Sequence, residues 1–577
     1  MNYTNTSFRN TAHFRKLFMH SAAFIWAAAV ILSLIGWRVV VILHEPVISK
    51  SAVSELAAIG SFRQDLSPNS TDTRLVYCRD TEAGVGLYFC DTATGKSKLV
   101  ADQKQSTWQR FSMLGWSPDD SLFAYAFPSN PERREEDIVI CSGDFGEEVS
   151  RIPVDANLYE LTWLTPRLFA YSTGSGRDLY VFEKTNTNSW IKKGEFKGIG
   201  RKKLECLIGL SDNLVAWKDD EDLCVLQIDS GFLQRVWKSS GATNTALDDF
   251  TYSRSDKEFL LNCSDSRGRF LKRFILGAGS GNSADRLGPE RDSVRHAKWT
   301  KCGPRYVYLS SDRNGEPFLN IYAGSNTVPI CTPSQTWIRN WSLGSNHVYF
   351  TGCTGGQLPG IWEFDINAKI CRCVVPSLQG SRTSLLSVIP STGIITNADG
   401  NPRVYYLWQP EHLESGKRYP VVVHGEFWDS IPYAQIAARE GVFFAVVDES
   451  CVAQLINTLA KSSTVDTNRL YLFGSSQGSA FVTSLINRNP DSWRKIILFS
   501  PITLPEVPIL MGKKVMIVSG TDDNWVPVGS LTQYQDQAIA AGISVKLYFE
   551  KHGGHMFVSI AAERRRALQY AKFLSED

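Results

Sequence analysis

Residues 469–486 read RLYLFGSSQGSAFVTSLI: an apolar strand-like run, the turn Gly474-Ser475-Ser476-Gln477-Gly478, and an apolar helix-like run in direct succession. A strand that passes through G-x-S-x-G into a helix is a nucleophile elbow. Small residues are needed at Gly474 and Gly478, because the serine backbone is strained and strand and helix approach closely on either side of it. Ser476 is thereby lifted clear of the sheet and becomes the candidate nucleophile.

A serine alcohol is a weak nucleophile at neutral pH. It needs a histidine base, and the histidine needs a carboxylate to fix its tautomer. In an α/β-hydrolase these follow in the order Ser, Asp or Glu, His. Only His552 and His555 follow Ser476, both in KHGGHMF beyond the strand-like Val545 to Phe549. The apolar strand Val515 to Val518 runs into Ser519-Gly520-Thr521-Asp522-Asp523-Asn524-Trp525-Val526-Pro527, so Asp522 and Asp523 are the candidate acids. Acyl transfer also needs donors for a developing oxyanion. The backbone N–H of Gln477 is one, and the loop after Tyr419-Pro420-Val421-Val422-Val423-His424 offers another at Gly425. His424 precedes the serine in a turn and reads as structural.

At 577 residues the chain is too long for one core. From about residue 60 to 385 a weak pattern recurs: an apolar or Trp position, a Ser/Pro/Asp/Asn turn, then an alternating strand. The clearest copy is LGWSPDDSLFAYA, Leu114 to Ala126. Others stand at Leu66-Ser67-Pro68-Asn69, Leu161-Thr162-Trp163, Leu210-Ser211-Asp212, Tyr252-Ser253-Arg254, Lys298-Trp299-Thr300 and Asn340-Trp341-Ser342. Their spacing, about 40 to 50 residues, is that of a four-stranded propeller blade. The expectation is an all-β propeller of about seven blades. The acidic cluster Glu132, Glu135, Glu136 and Asp137 reads as a solvated charged loop.

Ser21 to Trp37 carries no charge, and the apolar run resumes from Val39 to Leu43, about the length of a transmembrane helix. Arg9, Arg15 and Lys16 precede it, which places the N-terminus in the cytoplasm and everything after Leu43 outside. A cleavable signal peptide is the alternative. The expected organisation is a cytoplasmic N-terminus over 1–20, a transmembrane anchor over 21–43, a linker over 44–60, the propeller over 61–385 and an α/β-hydrolase catalytic domain over 386–577.

Balanced charge, 61 basic against 59 acidic residues, leaves no footprint for nucleic acid. The 12 cysteines are scattered. Those in apolar runs (Cys78, Cys90, Cys141, Cys224, Cys263) read as buried thiols, and C-x-C at Cys371 and Cys373 matches no usual zinc spacing. Neither a metal nor a cofactor is expected, and composition leaves the oligomeric state open.

The Trp-Ser-Pro-Asp copy and YLSSDRNGEPFLNIY, Tyr308 to Tyr322, resemble TolB-like and dipeptidyl-peptidase propellers. With Lys417-Arg418-Tyr419-Pro420, the His-Gly turn, Val465-Asp466-Thr467-Asn468-Arg469 before the elbow and the Asp and His loops, the chain resembles the prolyl oligopeptidase family of serine peptidases. That resemblance implies an α/β-hydrolase capped by a propeller and a triad of Ser476, Asp523 and His555. Asp523 is favoured by the G-x-x-D-x-x-V-P register and His555 by Gly-His-x-Phe. It also implies short peptides as substrates, with a small-ester hydrolase or an inactive binding protein of the envelope as alternatives.

Several departures stand against the family pattern. Ser479 replaces a second glycine after the elbow, and Gln477 replaces a common aromatic. The segment between Pro501 and Lys514 lacks the tyrosines of a proline pocket. Proline selectivity is therefore not expected, and Trp525 offers an apolar wall where a polar residue is usual.

Overall fold

A computed structural model describes residues 62–576 with breaks, of which 426–430, 524 and 556–558 fall near the site. The expected anchor, residues 21–43, lies outside the described residues. Among the described residues no helix is long and apolar enough to cross a membrane.

Among the described residues, those from 62 to 376 form seven four-stranded antiparallel sheets, each made of consecutive strands: 62–104, 112–154, 158–196, 204–237, 246–287, 295–329 and 337–376. Each repeated turn copy lies at the end of the first strand of its sheet. Leu66 and Pro68 close Phe62–Pro68, Trp116 ends Ser112–Trp116, and Trp341 sits within Trp337–Leu343. First strands of successive blades pack against one another around a ring, whereas fourth strands such as Phe232–Trp237 are largely exposed. The alternating apolar residues thus fill the spaces between blades, as in the cluster of Val76, Phe89, Phe123 and Val139.

Polar contacts repeat from blade to blade. Trp116 Nε1 donates to the Ser67 carbonyl at 2.9 Å, and Trp163 Nε1 donates to that of Gly115 at 3.0 Å. Asp120, at φ +59°, accepts from the Ser70 N–H at 2.9 Å. Asp72, also at φ +59°, accepts from the amides of Ser345 at 3.1 Å and Asn346 at 2.7 Å. The contact that closes the last blade onto the first is therefore the one that joins the first to the second. Among the described residues no strand is exchanged across the closure, which also rests on side-chain packing of Leu75 and Tyr77 against Tyr349 and Ile361.

One expectation is corrected. Glu135, Glu136 and Asp137 do not form a solvated loop but begin the strand Glu135–Ser142, with Glu136 and Asp137 buried. Burial pushes the Glu136 carboxyl up, opposed by the Leu158 N–H that it accepts at 2.6 Å, and Arg151 lies 3.2 Å from Asp137. Glu132 lies outside the described residues.

The second unit is one eight-stranded sheet: β1 Ser391–Thr396, β2 Pro402–Trp408, β3 Tyr419–His424, β4 Phe443–Val446, β5 Val465–Ser475, β6 Trp493–Phe499, β7 Lys514–Gly520 and β8 Ser544–Glu550. Its order is β1-β2-β4-β3-β5-β6-β7-β8, antiparallel through β2 and parallel from β4 onward. The central strands read as continuous apolar runs because both faces are covered. Helices α1 (Ile431–Arg439) and α5 (Ile560–Ser575) pack on one face. Helices α2 (Val452–Leu459), α3 (Gly478–Arg488) and α4 (Val528–Ala540) pack on the other.

The two units meet at the start of α5. The Ile560 N–H donates to the Thr81 carbonyl of the first blade at 2.9 Å, and Arg564 pairs with Glu82 at 2.9 Å. All five cysteines read as core thiols are buried, and burial pushes Cys141 and Cys263 up to about 12.

Candidate active site

Strand β5 ends at Ser475, Ser476 takes φ +51°, and α3 begins at Gly478. Left-handed backbone at a residue with a side chain costs on the order of 1–3 kcal/mol and persists only where its surroundings enforce it. Here the Ser476 N–H donates to the Phe499 carbonyl at 2.9 Å. A β-carbon on Gly474 would lie 2.4 Å from the Gly478 carbonyl oxygen, so the turn admits no side chain at that position.

The candidate acid and base arrive on the loops after β7 and β8. Ser476 Oγ lies 2.8 Å from His555 Nε2, and His555 Nδ1 lies 3.0 Å from Asp523 Oδ2 and 3.1 Å from Oδ1. A carboxylate can only accept, so Nδ1 carries the proton and Nε2 is left to accept from the Ser476 hydroxyl. Asp523 is buried, and its carboxylate also accepts from the Trp525 N–H at 2.9 Å and the Ser519 hydroxyl at 3.2 Å. Burial alone would raise its pKa. The hydrogen bonds from His555 and from the Trp525 and Val526 amides outweigh burial and hold it below the ordinary carboxylate range.

The rival residues pair with each other instead. His552 Nδ1 lies 3.7 Å from Asp522 Oδ2 at the surface, and the Asp522 N–H serves the loop by donating to the Gly553 carbonyl at 2.8 Å. His424 is buried in the sheet, with Nδ1 2.9 Å from the Phe473 carbonyl and its ring stacked on Phe473.

For an oxyanion, the Gln477 N–H stands at the N-terminus of α3 with no hydrogen-bond partner among the described residues. Gly425 follows β3, whose last residue His424 pairs with Phe473 of β5. A β-carbon there would meet the Phe481 ring at 2.8 Å.

One participant, Ser479, was not assigned from sequence. Ser479, seen only as a missing glycine, is fully buried, and its hydroxyl has four polar atoms within hydrogen-bond distance. Trp525 is 61% exposed, with its ring centroid 5.5 Å from that of His555. An aromatic two residues beyond a candidate acid was the signal by which the sequence offered Trp525 as an apolar wall. For Ser479 there was none, because its partners come from a loop more than twenty residues further along.

No family model matches the sequence, and no curated protein matches it. Among solved structures, a prolyl endopeptidase superposes with a TM-score of 0.67 at 12% identity, over 91% of this chain and 91% of that one. The fold is that of the prolyl oligopeptidase family. An acylaminoacyl peptidase, solved with Z-Gly-Gly-Phe-chloromethyl ketone, gives 0.65 at 12% identity over 91% of this chain and 97% of its own. Porphyromonas gingivalis dipeptidyl peptidase 4 gives 0.58 at 11% identity over 89% of each. The family resemblance drawn from the motifs therefore extends to the fold of both units.

Proposed function

We propose that the protein is a serine hydrolase that cleaves short peptides through an acyl-enzyme, with Ser476 as nucleophile, His555 as general base and acid, and Asp523 as the group that orients His555. The observation that carries this reading is the continuous relay from Ser476 Oγ to His555 Nε2 at 2.8 Å and from His555 Nδ1 to Asp523 at 3.0 Å. Ser476 Oγ attacks the substrate carbonyl carbon as its proton passes to Nε2. The C–N bond then breaks as Nε2 returns that proton to the leaving amine. Water, deprotonated by the same nitrogen, releases the acyl group. Gln477 N–H and Gly425 are the proposed donors to the oxyanion.

The propeller restricts entry to short or extended chains, so folded proteins are excluded. Selectivity for proline is not proposed, because the residues 501–514 contain no tyrosine to build an aromatic slot. A second reading, hydrolysis of small acyl esters, is favoured by the exposed Trp525 ring beside His555, an apolar wall suited to an acyl group. The chain is further proposed to be held to a membrane by residues 21–43, with both folded units outside the cytoplasm.

A panel of short chromogenic peptides, small acyl esters and a folded protein tests the assignment. Turnover of short non-proline peptides is expected, and turnover of esters alone would move the assignment to the second reading. Strong proline preference or ready cleavage of the folded protein would contradict it. Protease added to intact cells is expected to reach the propeller, and protection until lysis would reverse the topology.

A further inference from the structure

We infer that Ser479 is a positioning residue that orients the oxyanion-binding peptide, a role that rests on the serine-hydrolase reading above. Its hydroxyl donates to the Ser476 carbonyl at 2.6 Å, and the Ser479 N–H reaches the same oxygen at 3.0 Å. The same hydroxyl accepts from the amides of Ile502 at 3.0 Å and Thr503 at 3.1 Å, and lies 3.1 Å from Thr503 Oγ1. It is fully buried, so water does not compete for these bonds.

The consequence follows from the peptide unit. Ser476 C=O and Gln477 N–H belong to one planar trans amide and point to opposite sides of it. Fixing the carbonyl therefore fixes the direction of the N–H, and two donors on the carbonyl oxygen polarise the amide and strengthen its N–H as a donor. Ser476 is held on its other side by its own N–H to Phe499. The Ile502 and Thr503 amides complete a bridge from the elbow to the loop after β6. A glycine at 479 would keep the backbone bond but lose both the hydroxyl donor and this bridge.

Preorganised donors aimed at developing charge are a large term in acyl transfer, and loss of a whole donor costs on the order of 10²–10³ in kcat. Misaiming one costs less. Steady-state hydrolysis of p-nitrophenyl acetate by the full chain, wild type against Ser479→Ala and Ser479→Thr, provides the test. Ser479→Ala is expected to lower kcat about 10- to 100-fold with KM within about twofold and the pH midpoint of kcat unmoved. Ser479→Thr, which keeps the hydroxyl, is expected to recover part of the rate. A kcat for Ser479→Ala within about twofold of wild type would overturn the inference while leaving the triad standing, as would a loss of rate that only tracks loss of folded protein by circular dichroism. A wild-type protein inert toward both the ester and a fluorophosphonate would instead bring down the serine-hydrolase reading, and this role with it.

Discussion

A β-carbon placed on Gly520 would lie 1.9 Å from the carbonyl oxygen of Gly553, so the loops that carry Asp523 and His555 meet backbone to backbone. The Thr521 N–H bonds to Glu550 at 2.9 Å and the Asp522 N–H to Gly553 at 2.8 Å across the same contact. Gly520→Ala must push the His555 loop outward. Turnover of an activated ester is expected to fall about 100-fold, since a displacement near 1 Å costs that much. Parallel kinetics and thermal melts check this, and activity within about twofold of wild type would show that the loops do not set the relay.

Asp523→Asn leaves the site's shape intact but removes the acceptor that keeps the proton on Nδ1. Its kcat is expected to fall by a factor on the order of 10³–10⁴ near neutral pH. Asp522→Asn and His552→Ala act on an exposed pair and are expected to stay within about threefold. Kinetics of the three single variants check the assignment, and a larger loss from His552→Ala than from His555→Ala would shift the base by three residues.

The depressed pKa of Asp523 has a stability consequence. The stabilisation is fully present above the unfolded carboxylate value, about 3.9, and is lost as pH falls through the lower folded value. The stability gap between wild type and Asp523→Asn, measured by urea unfolding, is expected to shrink as pH falls below about 4. A gap that is constant down to acid unfolding would contradict the hydrogen-bonded, anionic Asp523.

His347 gives the opposite sign at the closure of the ring. It faces Asp72 at 3.1 Å, Asp365 at 3.5 Å and Glu363 at 3.7 Å. The adjacent Asp72 carboxylate raises its pKa, burial opposes this, and the other carboxylates add to the rise. Its contribution is therefore fully present below the unfolded histidine value, about 6.5, and is lost as pH rises through the folded value. The loss of melting temperature in His347→Gln is expected to be larger near pH 6 than near pH 9. An equal loss at both would mean that the ring closes without the charge.

The elbow was legible because its signal is steric: Gly474 and Gly478 flank the serine, and at Gly474 a β-carbon would meet the Gly478 carbonyl oxygen at 2.4 Å. The blades were legible because each inner strand ends in the same apolar-then-turn pattern, from Leu66 to Trp341. Asp522 and Asp523 stood open on chemistry alone, since they are adjacent and chemically identical. Which one meets His555 is decided by the approach of Gly520 to Gly553, a contact between loops about thirty residues apart. Glu136 and Asp137 were misread because charge in a turn-like stretch implies water. Their actual partners, the Leu158 N–H and Arg151, come from neighbouring strands. Ser479 was invisible for a like reason: its role exists only once the Ile502 and Thr503 amides are folded over it.

The most direct test of the central claim is covalent labelling of the purified full chain with a fluorophosphonate, which reports an activated serine without a known substrate. Wild type is expected to label at a single site that peptide mapping assigns to Ser476, with Ser476→Ala unlabelled and His555→Ala slowed about a thousandfold or more. Undiminished labelling of Ser476→Ala, or no labelling of folded wild type, would contradict the account.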